Sequence, residues 1–205
     1  MLGKFIVFEG TDGAGKTTQL KKLVKYLEAK SMELLLTREP GGTPAGNAIR
    51  NTLLDCDFSP TLSDTTQLLL FAAAYRDTIH QLIVPGLQAG KVVLSDRTNI
   101  TSFVFQRRSP WIRQLCQIND DLLQPDIVFI LTTDYETMRD RIDKSDRGYS
   151  NYKDFATKEE HDFRVEGYRL YAEQYPRHTV VLNSAKTPDE IFEDVLKVIE
   201  ERFQL

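Results

Sequence analysis

The chain has 205 residues, 41% of them hydrophobic and 27% charged, with 11 Gly and 8 Pro; this is the composition of one ordinary globular domain with a single core, and it excludes a disordered or low-complexity chain. A formal net charge of −4 excludes a broad basic surface for polymeric nucleic acid, yet leaves room for a small basic pocket that takes a phosphate monoester. Nowhere do about 18 apolar residues run together, and the apolar start from Met1 to Gly10 is not followed by a small-residue cleavage site, so the expected address is the cytoplasm, with neither membrane nor nucleic acid as partner.

The first apolar, β-branched run is KFIVFE near residue 4, which predicts a strand. Directly after it comes GTDGAGKT, residues 10 to 17, a match to G-x-x-x-x-G-K-[ST] in the strand-to-helix context the motif requires. Gly10, Gly13 and Gly15 let the backbone turn its N–H groups inward, Ala14 and Thr18 complete the cradle, and the helix that begins near Lys16 presents its positive end to an anion. Lys16 is expected to reach the β- and γ-phosphates of ATP, and the Thr17 hydroxyl to sit on Mg²⁺, which takes a few hard oxygen ligands and keeps the rest as phosphate and water. Asp12, inside the same loop, is a misplaced charge beside phosphates unless it accepts a hydrogen bond from a neutral hydroxyl such as that of a sugar, or is offset by nearby cations.

A second run, ELLLT near 33, leads into TREPGGT, residues 37 to 43. Arg38 then stands at a strand's carboxyl end, the edge where ligands bind in open α/β sheets, as a bidentate grip for an acceptor phosphate. An apolar helical stretch, LLLFAAA, carries Phe71. The third run, KVVLS near 91, ends in SDR, which places Asp96 like the strand-end carboxylate that assists Mg²⁺ and sets Arg97 beside it. The fourth run is DIVFIL near 126, and between Asp143 and Lys158 the apolar pattern fails in KSDRGYSNYKDF, the expected mobile lid. After the fifth run, HTVVLN near 178, Thr187 and Pro188 open a last helix with Asp189 and Glu190 at its positive end and Ile191, Val195, Val198 and Ile199 at helical spacing.

Five nearly continuous apolar strands with helix-length crossovers predict a three-layer α/β domain built on a parallel five-stranded sheet, one domain over 1–205 with a lid at about 143–158. Cys56 and Cys116 stand alone without a CxxC spacing and His80, His161 and His178 are scattered, so reduced structural thiols and no dedicated metal cage are expected.

In order and spacing the phosphate loop, TREPGG, LLFAA, strand-end DR and S-x-x-F-Q resemble the thymidylate kinase family across essentially the whole chain. The resemblance implies a P-loop kinase fold and transfer of a phosphoryl group from ATP to deoxythymidine monophosphate, in the synthesis of the triphosphate, by a homodimer. It further implies that Arg38 and Arg97 hold the monophosphate, that Asp12 binds the deoxyribose hydroxyl, that Phe71 stacks on thymine, and that Ser102 and Gln106 lie in the acceptor pocket near the base. Three positions depart from the family: Tyr75 stands where a base-facing arginine is usual, Thr98 where DRY is common, and Arg107 where glycine follows the glutamine. The loop has Gly13 after Asp12 instead of a basic residue, so the lid is expected to supply the catalytic cation, Arg147 first, with Lys144 and Arg141 behind it. Another nucleoside monophosphate or nucleoside kinase is the alternative substrate class, and a nucleotide-dependent binding or switch protein the alternative of a different class.

Overall fold

The computed structural model describes residues 3–54, 61–112, 123–144 and 156–203. Five strands, β1 Lys4–Gly10, β2 Leu34–Arg38, β3 Val92–Asp96, β4 Ile127–Thr132 and β5 Thr179–Asn183, pair in parallel in the order β2-β3-β1-β4-β5. Helices α1 Lys16–Ala29, α2 Pro44–Leu54, α3 Asp64–Thr78, α4 Val84–Gln88, α5 Asn99–Phe105, α6 Tyr135–Asp143, α7 Lys158–Gln174 and α8 Pro188–Phe203 connect them, with a π-helical turn, Ile79–Ile83, between α3 and α4. The expected α/β architecture is the one observed.

The near-continuous hydrophobicity of β1 follows from its central place. Ile6 and Phe8 point into a core closed by α1 and α8, with Leu23, Leu27, Val195 and Ile199, while Phe5 and Val7 point into a second core with Tyr75, Ile79, Val104 and Tyr168. Alternate residues of one strand therefore fill two hydrophobic layers. The edge strands are cheaper to expose, and Leu36 of β2 and Val181 of β5 are 55% and 61% accessible.

The last helix begins as its sequence dictates. The Thr187 hydroxyl accepts from Glu190 N–H, and the Glu190 carboxylate accepts from Thr187 N–H, a reciprocal cap of two otherwise orphaned donors. α7 starts with the same device on Thr157 and Glu160. Because β1 lies between β3 and β4, the connections after β1, β2 and β3 converge on one end of the sheet, with Phe8 and Arg38 both in register with Asp96. That reversal of strand order opens a crevice beyond the strand carboxyl ends.

Candidate active site

A cleft of about 940 Å³ occupies that crevice. Its floor is the phosphate loop, in which Gly10, Gly13 and Gly15 have φ of 139°, 69° and 96°, values that glycine alone adopts without strain. A Cβ at Gly10 would lie 1.7 Å from the Leu131 carbonyl oxygen, so no other residue fits there. Ala14, Gly15, Thr17 and Thr18 line the cleft with Lys16, whose Nζ donates to the carbonyls of Gly10 at 3.2 Å and Thr11 at 2.7 Å. Burial, and next the Arg97 guanidinium, push the Lys16 ammonium down to about 8 against the pull of Asp12, Asp96 and Glu9. A cation so desolvated gains from an arriving polyphosphate.

Thr17 Oγ1 donates to Asp96 Oδ2 at 3.2 Å, and both residues line the cleft beside Lys16. Two hard oxygen donors at the phosphate loop fit the preference of Mg²⁺ for oxygen ligands, and Thr17 and Asp96 would hold it. Among the described residues no group of three or more His, Cys, Asp or Glu is placed to hold a metal ion.

On the far side the cleft is cationic. Arg38, at the end of β2, is exposed and lines it, as does Arg97. Arg97 donates to Asp12 Oδ1 at 2.7 Å and to the Gly10 carbonyl at 2.9 Å. Burial opposes its charge, but Asp12 foremost, then Tyr168, Glu9 and Asp96, outweigh that and hold its pKa above the ordinary arginine value. The Asp12 charge, odd for a phosphate loop, is thus matched by Arg97. A third arginine, Arg50 of α2, donates to the Pro40 carbonyl at 2.8 Å and joins the same wall; burial, then Arg38, lower its pKa. Sequence reasoning missed Arg50, because it sits in mid-helix with no strand end or glycine turn to mark it.

Phe71 of α3 is half-buried on the cleft wall. A narrow side pocket continues from it, lined by Phe71, Tyr75, Ser102, Glu39 and Pro40 among others. Tyr75 is 2% exposed there; Arg76, one residue on, is exposed and outside both linings, the rotation of about 100° per residue that an unbroken helix imposes. Gln106 caps α5 and lines neither cavity, and both polar atoms of its amide are buried without a hydrogen-bond partner among the described residues. Glu39 is 5% exposed, and burial raises its carboxyl to about 8. The Thr78 hydroxyl donates to the Gly41 carbonyl at 2.6 Å, which ties the end of α3 to the TREPGG loop.

The two remaining departures have local explanations. Thr98 is the N-cap of α5, accepting from Ile100 N–H, while its own hydroxyl donates to Glu9. Arg107 donates to the carbonyls of Val104 and Phe163 and lies over the Phe163 ring, which locks α5 to α7. Among the lid candidates, Arg147 lies outside the described residues, as do most of the 143–158 segment, Cys56 and Cys116. Lys144 is paired with Asp140 at the surface. Arg141 donates to the carbonyls of Gly13 and Ser184 and lines the cleft's other end with Ile142, Lys186, Pro188 and Ile191.

A thymidylate kinase family model matches residues 8–195. Curated thymidylate kinases from Pelotomaculum thermopropionicum and Geobacillus thermodenitrificans are 39% and 32% identical, over 98% and 100% of this chain and 94% and 92% of theirs. The crystal structure of thymidylate kinase from Ehrlichia chaffeensis superposes with a TM-score of 0.75 at 28% identity, covering 98% of this chain and 99% of that one. A phosphate loop facing a wall of arginines across one cleft, in a chain matched from end to end, has one reading: the chain belongs to the thymidylate kinase family.

Proposed function

We propose that the chain transfers the γ-phosphoryl group of ATP to deoxythymidine monophosphate, as a single kinase domain with a lid at about 143–158. The observation that carries this is the cleft itself, which joins Lys16 and its loop at one end to Arg38, Arg50 and Arg97 at the other. A switch protein needs the loop but has no use for a second, arginine-walled anion site.

ATP lies with its polyphosphate on the loop N–H groups and its base toward Arg141, Ile142 and Lys186. The acceptor phosphate is held by Arg38, Arg97 and Arg50, its sugar hydroxyl by Asp12, and its base by Phe71, with Tyr75 and Ser102 beside it. An acceptor phosphate oxygen forms a bond to the γ-phosphorus in line as the bond from that phosphorus to the β,γ-bridging oxygen breaks, and ADP leaves. Thr17 and Asp96 would hold Mg²⁺, which would supply neutralisation of the phosphate charge. Lys16 and Arg97 stabilise charge on the transferring oxygens, and Arg147 is the cation the lid adds on closing, which also excludes water. Positioning and electrostatics supply the catalysis without a covalent intermediate.

No helix among the described residues is long and apolar enough to cross a membrane, and a cytoplasmic enzyme follows from an ATP-dependent reaction on free nucleotides, with no nucleic acid as partner. A homodimer through the apolar LLLFAAA stretch belongs to the same reading, by likeness to the family. Tyr75, a buried phenol where a base-facing arginine is usual, favours a second reading, in which the acceptor base differs. The deciding experiment is kcat/KM with MgATP against the deoxythymidine, deoxyuridine, deoxyguanosine and deoxycytidine monophosphates, with thymidine and no acceptor as controls. A clear preference for the thymidine ester is expected; preference for another ester moves the substrate, and ATP binding without transfer to any acceptor overturns the kinase.

A further inference from the structure

Glu9 precedes the phosphate loop on the central strand, and its side chain is 0% exposed. A carboxylate inside a parallel sheet is costly unless every lone pair has a donor. Here Oε1 accepts from Thr98 N–H at 2.7 Å and from the Thr98 hydroxyl at 3.1 Å, while Oε2 accepts from the Thr101 hydroxyl at 2.8 Å and the Tyr168 hydroxyl at 2.9 Å. None of these donors belongs to β1 or to a neighbouring strand.

The donors instead surround Arg97. That residue has φ of 75°, a left-handed conformation that non-glycine residues hold only when their surroundings impose it. The constraints sit on either side of it. Arg97 N–H donates to the Phe8 carbonyl at 2.9 Å, Ser95 Oγ donates to the Arg97 carbonyl at 2.6 Å, and the next N–H, that of Thr98, is the one Glu9 takes. Further out, the Arg97 guanidinium donates to the hydroxyls of Thr101 and Tyr168 and lies 3.8 Å from Glu9 itself. Glu9 therefore grips the backbone after Arg97 with one oxygen and the hydroxyls under its guanidinium with the other.

We propose that Glu9 is a positioning residue for the transfer reaction: by fixing Thr98 on one side and Thr101 with Tyr168 on the other, it sets the backbone twist and the aim of Arg97 into the cleft. The inference rests on the reading that Arg97 holds the acceptor phosphate. It places the cause of acceptor binding one residue before the phosphate loop, in a side chain that no ligand reaches, and it links the end of β3 to α7 through Tyr168.

The test is a double-mutant cycle on the full chain with Glu9→Gln, Arg97→Ala and the combined variant, measuring kcat and both KM values alongside thermal melts. Glu9→Gln keeps the volume but removes the charge and two lone pairs, and is expected to raise KM for deoxythymidine monophosphate about tenfold while KM for ATP moves less than about twofold. In the Arg97→Ala background the same change is expected to cost less than about threefold, because a residue that acts through Arg97 has nothing left to aim. Equal losses in both backgrounds, parallel rises in both KM values, or an unchanged acceptor KM in Glu9→Gln overturn the inference while leaving the acceptor role of Arg97 intact. An Arg97→Ala variant with normal acceptor KM removes that role, and the inference with it. Should Glu9→Gln not fold, Tyr168→Phe, which keeps the ring and removes one donor to Glu9, decides the matter: an acceptor KM raised about threefold with ATP unaffected supports the inference, and no acceptor effect overturns it.

Discussion

The two ends of the cleft bind phosphate by different means. The donor end is built from one contiguous segment, residues 10 to 18, and relies on backbone: three glycines at positive φ, a helix N-terminus, and a lysine held by main-chain carbonyls. The acceptor end is built from side chains delivered by four elements, with Arg38 from β2, Arg50 from α2, Phe71 from α3 and Arg97 from the end of β3. A backbone site is rigid because its geometry is local, whereas a side-chain site must be held by a second layer, which here includes Asp12, Glu9, Thr101 and Tyr168. Damage to the first end should fall on turnover, and damage to the second on affinity for the acceptor.

Lys16→Ala sharpens that contrast most. It is expected to lower kcat by about 10²–10³-fold, the scale for removing one preorganised charge stabiliser, while the melting temperature of the ligand-free protein stays level or rises because a desolvated ammonium is gone. A coupled ADP assay beside a melt checks it, and near-normal turnover would break the assignment. Asp12→Asn follows: it should raise KM for the monophosphate about thirtyfold through the weakened sugar contact and the loosened Arg97, with KM for ATP within about twofold. Equal losses for both nucleotides would mean that the loop had lost its shape. For Phe71→Ala the expected rise in acceptor KM is about tenfold, within the range for one base stacked on one aromatic face; no change would move the base elsewhere in the cleft.

The smallest effect is a pH dependence that separates the two ends without ligand. The Glu39 carboxyl is raised from 4.5 to about 8 by burial, so the folded chain binds more protons than the unfolded one in that window, and stability falls as pH rises from about 4.5 to 8. The Lys16 ammonium is lowered from 10.5 to about 8, again by burial first, so there the unfolded chain binds more protons and stability rises from about 8 to 10.5. Melts across this range should therefore show a shallow minimum near pH 8. Glu39→Gln is expected to flatten the acidic limb alone and Lys16→Ala the alkaline limb alone; a limb that survives its own substitution belongs to another group.

How much could be read beforehand follows the same divide. The five strands and the phosphate loop were legible because each depends on neighbours in sequence: apolar runs long enough for a strand, glycines at fixed spacing, a lysine and a threonine opening a helix. TREPGG and the strand-end DR were legible as positions at the carboxyl edge of a sheet. The place of Arg141 was not legible, since nothing in the helix YETMRDRID tells that one of its arginines donates to the loop carbonyl of Gly13 while Lys144 pairs with Asp140 at the surface.

The sequence by itself determined the layer architecture, the donor site and the two arginines at strand ends, because hydrophobic period and backbone conformation are local properties. Only the tertiary structure decided that Arg50 joins those arginines, that Asp12 is neutralised by Arg97, that Tyr75 is buried beside Phe71, and that Glu9 is a fully bonded carboxylate inside the sheet. These facts depend on which strand lies next to which and on the burial that results. Residues as far apart as Glu9 and Tyr168 meet only because β1 lies between β3 and β4 and α7 packs across them.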